Sequence, residues 1–182
     1  MPEWNDREIV QKFKTSENRE VAFNHLLEKY QERLYWHIRK ILLDHDDSDD
    51  VLQNTFIKIW KGLNDFREDA KLFTWLYRIA TNEALSFLKL KKKQQSIPID
   101  DEGNLITNTL ESDPYFNGDE IQRKLQLAIQ KLPEKQRIVF NLKYFEEMKY
   151  EDMSEILKTS VGALKASYHH AVRKIEAFLN DG

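Results

Sequence analysis

Seven residues recur through one stretch of the chain at a spacing that could do chemistry. Lys71, Trp75, Arg78, Asn82, Ser86, Lys89 and Lys93 follow one another at intervals of three or four residues, which on an α-helix confines them to an arc of roughly 80°. Cations along such a face follow the phosphates of a nucleic-acid strand, an amide reads a base edge, and an aromatic ring stacks on an unpaired base. For Trp75, with Phe73 and Tyr77 beside it, ordinary core packing is the competing account. Arg78, Asn82 and Lys89 are harder to place in a core.

A second polar face lies near the C-terminus. On a helix over 161–179, Leu164, Tyr168, Ala171, Val172, Ile175 and Phe178 share one side, while Gly162, Lys165, Ala166, His169, His170 and Arg173 share the other. Lys and Arg donate to guanine O6 and N7, His donates or accepts, and small residues near a helix start let backbone approach phosphate, so this face suits a major groove. A solvated helix face is the duller alternative. A third face, Asp50, Gln53, Asn54, Ile57 and Lys61, sets one apolar residue among polar ones opposite the stripe Leu52, Phe56, Ile59, Trp60 and Leu63. That is the make-up of a protein interface, an apolar centre with a polar rim, although single exposed Ile residues also occur on ordinary surfaces.

Other chemistry finds no support. Asp44, Asp46, Asp47, Asp49 and Asp50 with His45 point in several directions, and no Gly or terminal Glu completes a calcium loop. Acids before a helix stabilise its N-terminus instead. His25 and His37 stand alone and read as helix-surface or satisfied core histidines. The chain has no Cys, which excludes disulfides, thiolate zinc sites and cysteine nucleophiles. It has no glycine loop for phosphate and no nucleophile with a base at recognisable spacing. Neither catalysis nor a metal or cofactor is expected.

These faces need helices to carry them, and the composition agrees. The 182 residues include only five Gly and four Pro, too few for a turn-dense β architecture, so the expected class is all-α. The capping-box pair Asn5 and Glu8 opens a helix over 6–14. Phe23, Leu26, Leu27, Tyr30, Leu34, Ile38, Ile41 and Leu42 give one face of a long second helix. Asp47 or Ser48 is the expected cap of the third, which Gly62, Asn64 and Asp65 end. The fourth runs over 71–92 on Leu72, Leu76, Ile79, Ala80 and Phe87. In the second half the pattern predicts helices over 121–132, from Pro133 in a first turn to 145, over 150–158, and over 161–179 behind a Ser160 cap. A short helix, a tight junction at Thr159 and Ser160, and a longer helix form a helix-turn-helix pattern.

Charge divides the chain further. The formal total is -3, yet residues 71–93 carry +5 with Glu83 their only acid, and residues 97–120 carry -7 with no Lys or Arg. The acidic stretch also holds Pro98, Gly103, Pro114 and Gly118 without an apolar period, as a flexible linker would. The expected organisation is therefore two small helical domains, 1–95 and 118–182, joined by an acidic linker over 96–117. No apolar run nears the roughly 18 residues of a membrane span, and the first residues show no secretion signal, so a soluble cytoplasmic protein is expected.

Several strings, in order, resemble the sigma-70 family, in particular the extracytoplasmic-function sigma factors, small two-domain initiation subunits of bacterial RNA polymerase. DVLQNTFIKIW at residues 50–60 is similar to the family helix that docks on the clamp helices of the largest polymerase subunit. FREDAKLFTWLYRIATN at 66–82 is similar to its promoter-melting segment. KLPEKQR at 131–137, YEDMSEIL at 150–157 and SVGALK at 160–165 are similar to its C-terminal helix-turn-helix domain. The resemblance implies a sigma factor that binds core polymerase, directs it to specific promoters and helps open them.

It also implies site residues. Phe66, Arg67, Glu68, Asp69, Ala70 and Lys71 would form a pocket for a flipped base of the minus-ten element. Arg78, Asn82 and Lys89 would hold the strand or adjoining duplex. Lys165, Ala166, His169 and His170 would read the minus-thirty-five element, with Arg173 nearer phosphate. Asp50, Gln53, Asn54, Ile57 and Lys61 would bind the polymerase clamp helices, and the polymerase flap region is an implied partner as well. Family members are often held by an anti-sigma factor, though no residue here identifies one. The recognition helix has fewer Arg than is common in the family, and the acidic stretch matches in position the family segment that threads toward the RNA path, where a solvated spacer would serve equally. The rival from another class is a stand-alone helix-turn-helix regulator whose N-terminal bundle senses a ligand or dimerises; a metal-dependent hydrolase on the Asp cluster is weaker still.

Overall fold

Apolar residues at three- and four-residue spacing fold as helix throughout what the computed structural model describes, residues 2–95 and 119–181. Among these are eight α-helices and no strand, so the chain is all-α as expected. Two units divide at Lys89 and Leu90. The expected acidic linker, 96–117, lies outside the described residues.

The first unit holds α1 (Asp6–Lys14), α2 (Arg19–Leu42), α3 (His45–Gly62), a 3-10 turn (Leu63–Asp65) and most of α4 (Leu72–Gln95). The capping box at α1 is complete: Glu8 N donates to the Asn5 side chain and Asn5 N to the Glu8 carboxylate, each at 2.9 Å. Ile9 and Phe13 of α1, Leu26, Leu34 and Ile38 of α2, Ile59 of α3 and Leu76 and Tyr77 of α4 are fully buried. Each such side chain contributes roughly 1.5–3 kcal/mol through removal from water.

The start of α3 differs from expectation. Asp44, and not Asp47 or Ser48, is the N-cap: its carboxylate accepts from Asp47 N at 2.9 Å, and the buried Ser48 hydroxyl donates to the Asp44 carbonyl at 2.6 Å. The run of acids offers several possible caps, and the choice falls to backbone geometry. Leu43, at φ 67, turns the chain out of α2 and leaves Asp44 extended. α3 ends at Gly62 as expected, though not through a left-handed turn, since Gly62 keeps φ -95 and ψ -18. A Cβ there would meet the Trp75 ring at 3.1 Å.

Both isolated histidines have partners. His37 is buried, with Nε2 2.8 Å from the Thr81 hydroxyl; burial, aided by the nearby Lys40 charge, pushes its pKa down to about 3. His25 stacks on Trp4 with centroids 4.1 Å apart.

The second unit contains α5 (Glu120–Gln130), α6 (Glu134–Tyr144), α7 (Tyr150–Leu157) and α8 (Val161–Asn180). Pro133 stands just before α6 as an extended cap, one place earlier than predicted. Ala128, Ile129, Leu132, Phe140, Ala171 and Ile175 form the core, against which Tyr168, Val172 and Phe178 pack. α7 stops at Leu157 because Lys158 adopts the left-handed conformation, φ 54 and ψ 41. The Ser154 hydroxyl then bonds the Thr159 carbonyl at 2.7 Å, and the Ser160 side chain accepts from Ala163 N to start α8. The short helix, turn and long helix read from the sequence are present.

Candidate nucleic-acid interface

The spacing on α4 divides the helix into an inward and an outward side. Leu72, Leu76, Tyr77, Ala80 and Ala84 turn inward. Asn82, Ser86 and Lys89 are exposed, and Arg78 is half-buried. Glu83, the only acid among residues 71–93, pairs with Lys58 of α3. Trp75 takes the core-packing account: it lies over Gly62 and against Phe66, ring centroids 5.1 Å apart.

Before this face the chain makes a loop, fixed by Trp75 N bonding the Lys71 carbonyl at 3.1 Å and by a turn from Arg67 to Ala70. Phe66, Glu68, Asp69, Ala70 and Lys71 of this loop line a cavity of about 590 Å³, together with Leu72 and Phe73. Five of the six residues expected to form a pocket are thus brought together. Arg67 is exposed and is not among the lining residues. Phe66 is only 6% exposed, so its ring serves as a wall held by Trp75. The opposite wall, Asp6, Arg7 and Val10 of α1, escaped the sequence reading. Its residues lie about sixty positions upstream, and a capping box and an apolar stripe on α1 say nothing of a cavity.

Glu68 and Asp69 place acceptors at the cavity, while Arg7 and Lys71 place donors. Carboxylates accept from exocyclic amines of bases and cations attract phosphate. A space of this size between such groups suits one unstacked nucleotide.

On α3, Asp50, Gln53, Asn54, Ile57 and Lys61 are all exposed, and Ile57, at 51%, is among the most exposed large apolar residues. Beside this face a groove of about 470 Å³ between α2 and α3 is lined by Glu28, Glu32, Tyr35, Trp36 and Asp49 among others. Apolar and aromatic surface next to acids fits a basic protein partner better than nucleic acid.

In the second unit Lys165, Ala166, His169, His170 and Arg173 are exposed along α8, with Leu164, Ala171 and Ile175 buried behind them. The Lys165 ammonium lies 5.7 Å from the Tyr150 ring centroid, which Lys143 also faces at 4.5 Å. Burial raises the Tyr150 pKa. Among the described residues no helix is long and apolar enough to cross a membrane, and no cluster of His, Cys, Asp or Glu could hold a metal ion.

Comparison with known proteins bears on both units. The family described as Sigma-70 region 2 matches residues 26–94, and Sigma-70, region 4, matches residues 122–175. The chain is 31% identical to the RNA polymerase sigma-H factor of Pseudomonas aeruginosa, over 96% of this chain and 93% of that protein. It is 29% identical to the ECF RNA polymerase sigma factor SigW of Bacillus subtilis, over 88% and 90%. Among solved structures, CnrH in complex with the cytosolic domain of CnrY superposes with a TM-score of 0.71 at 22% identity, over 97% of each chain. RpoE of Bartonella quintana, in complex with the anti-sigma factor NepR, gives 0.71 and 22% over 87% and 96%.

Proposed function

We propose, since this chain belongs to the sigma-70 family of RNA polymerase sigma factors and to its extracytoplasmic-function group, a division of the work of initiation among three helix faces. As a sigma factor it binds core polymerase, directs it to specific promoters and helps open their DNA. That family role sets aside the rival reading of the N-terminal half as the sensing or dimerising bundle of a stand-alone regulator.

The face of α3 centred on Ile57, with the acidic-aromatic groove beside it, docks the clamp helices of the polymerase largest subunit. The cavity and the exposed side of α4 take the displaced strand at the minus-ten element. Phe66, Glu68, Asp69, Ala70 and Lys71 form the pocket, Arg67 its outer approach, and Arg78, Asn82 and Lys89 the strand track. The exposed side of α8 reads the minus-thirty-five element through Lys165, Ala166, His169 and His170, with Arg173 on phosphate, while the second unit meets the flap region. The chain performs no covalent chemistry in this scheme and works in the cytoplasm, where its polymerase is. An anti-sigma factor belongs to the same proposal, the RpoE neighbour having been solved with one.

The observation that carries the scheme is the cavity at the head of the basic α4 face. Holding a base out of the stack costs a few kcal/mol, which a pocket of fitted size and polarity offsets. Transcription in vitro with core polymerase on a promoter library, sequencing the start regions, tests it. The expected result is a set of start sites sharing two spaced motifs that appear only when the chain is present. Failure of core polymerase to retain the chain, or starts unchanged by it, would overturn the scheme.

A further inference from the structure

α1 stands outside the residues matched by the family, which begin at 26, yet it forms one wall of the cavity through Asp6, Arg7 and Val10. We infer that α1 completes the nucleotide pocket and that Arg7 binds the backbone phosphate of the nucleotide held there. The inference rests on the reading of the 66–71 loop as the strand pocket and extends that site to a helix with no assigned role.

Asp6 and Arg7 are neighbours with different tasks. Both carboxylate oxygens of Asp6 are engaged by α2: Lys29 Nζ donates to one at 2.8 Å and the Tyr30 hydroxyl to the other at 2.7 Å. This charge is compensated within the fold. Asp6 thereby pins the first turn of α1, already fixed by its capping box. At the far end of α1, Lys14 Nζ donates to the Phe66 carbonyl at 2.8 Å, which fastens the helix to the loop forming the opposite wall. The two walls are held together without help from a ligand.

Arg7 is exposed and has no hydrogen bond or ion pair among the described residues. Folding alone therefore gives its charge no assignment. Glu68 and Asp69, both exposed, line the same cavity from the loop. Their charge repels phosphate and accepts from base amines, so a strand entering with its base toward the loop is favoured only where a cation meets its backbone. Arg7 stands on the α1 side of that space, and its planar fork matches two phosphate oxygens. Asp6 is in this account a positioning residue and Arg7 a contact.

The test uses holoenzyme reconstituted from the full chain and core polymerase. The probe is fork-junction DNA from a start region selected by the wild-type chain, with its minus-ten strand unpaired. Removing one phosphate contact weakens binding by a similar factor at every salt-matched sequence and reduces the salt slope by about one. Arg7→Ala is thus expected to bind the fork about tenfold more weakly with that smaller slope, and Arg7→Lys to keep the slope with a smaller loss. Retention by core, and binding to the same promoter held as closed duplex, should be unchanged for both variants. Wild-type affinity and slope for Arg7→Ala on fork DNA would overturn the inference, as would an equal loss on fork and closed duplex or a loss of retention. A wild-type chain that selects no start region overturns the strand-pocket reading and this inference with it, whereas a selective wild type beside a fully competent Arg7→Ala overturns the inference alone.

Discussion

His37 is the residue at which burial most alters chemistry. In the unfolded chain it titrates near its ordinary value of about 6.5, whereas in the fold its pKa is about 3. Between those values the unfolded state binds a proton that the folded state excludes, so stability falls as pH drops below about 6.5. At pH 5 the loss from this one group is about 2 kcal/mol. Urea midpoints of the full chain at pH 7 and pH 5 should show it, and His37→Gln, which can still bond the Thr81 hydroxyl, should flatten that dependence. An unchanged pH slope in the variant would assign the effect to other groups. The sequence marked His37 as either core or surface; burial decided it, and its partners in the core, Thr81 and Tyr77, lie 40 or more positions away in the chain. The Asp44 cap has a similar cause. Five acids in seven residues could each cap a helix, and only the turn at Leu43 selects one.

The proposed scheme assigns the steps of initiation to different helices, so substitutions on different helices should separate them. Arg78→Ala combined with Asn82→Ala leaves α3 untouched, so holoenzyme assembly should be near wild type while promoter opening, followed by permanganate reactivity of unpaired thymines, falls at least tenfold, two lost contacts at roughly 1 kcal/mol or more each. Ile57→Glu should do the reverse, weakening retention by core through a charge at the apolar centre of an interface. The opposite pattern would mean that the two surfaces are exchanged. In the helix-turn-helix, Lys158 holds a left-handed conformation that costs a residue with a side chain roughly 1 kcal/mol. In urea unfolding of the full chain, Lys158→Gly should raise the unfolding free energy of the second unit by a few tenths to about 1 kcal/mol, and Lys158→Val, β-branched at a positive φ, should lower it. A stabilising Val would refute this account of the turn. The junction was legible in the sequence at Thr159 and Ser160, but its left-handed residue was not, because Lys carries none of the signal that Gly or Asn gives at that place.

At the scale of the molecule, helix faces were readable because their periodicity is local, and the α1 wall was hidden because contacts across 24 and 52 positions build it. Charge is the property that acts over the whole chain. Residues 71–93 carry +5 and the exposed side of α8 adds Lys165 and Arg173, against a total of -3 and a -7 stretch between the halves. Non-specific affinity for DNA comes almost wholly from neutralised phosphates, and here each cationic face shares the chain with an acidic segment of larger opposite charge. In the proposed scheme each face alone reads only a short element, so neither supplies much specificity. Core polymerase can change both terms, by fixing the spacing of the two elements so that the second contact becomes intramolecular. A gel shift with the free chain should therefore give weak, salt-sensitive binding to promoter DNA, with Kd on the order of micromolar or weaker, and holoenzyme should bind the same DNA at least a hundredfold more tightly. Tight, sequence-selective binding by the isolated chain would show that its own two units set the spacing, and the polymerase would then be a passenger in promoter choice.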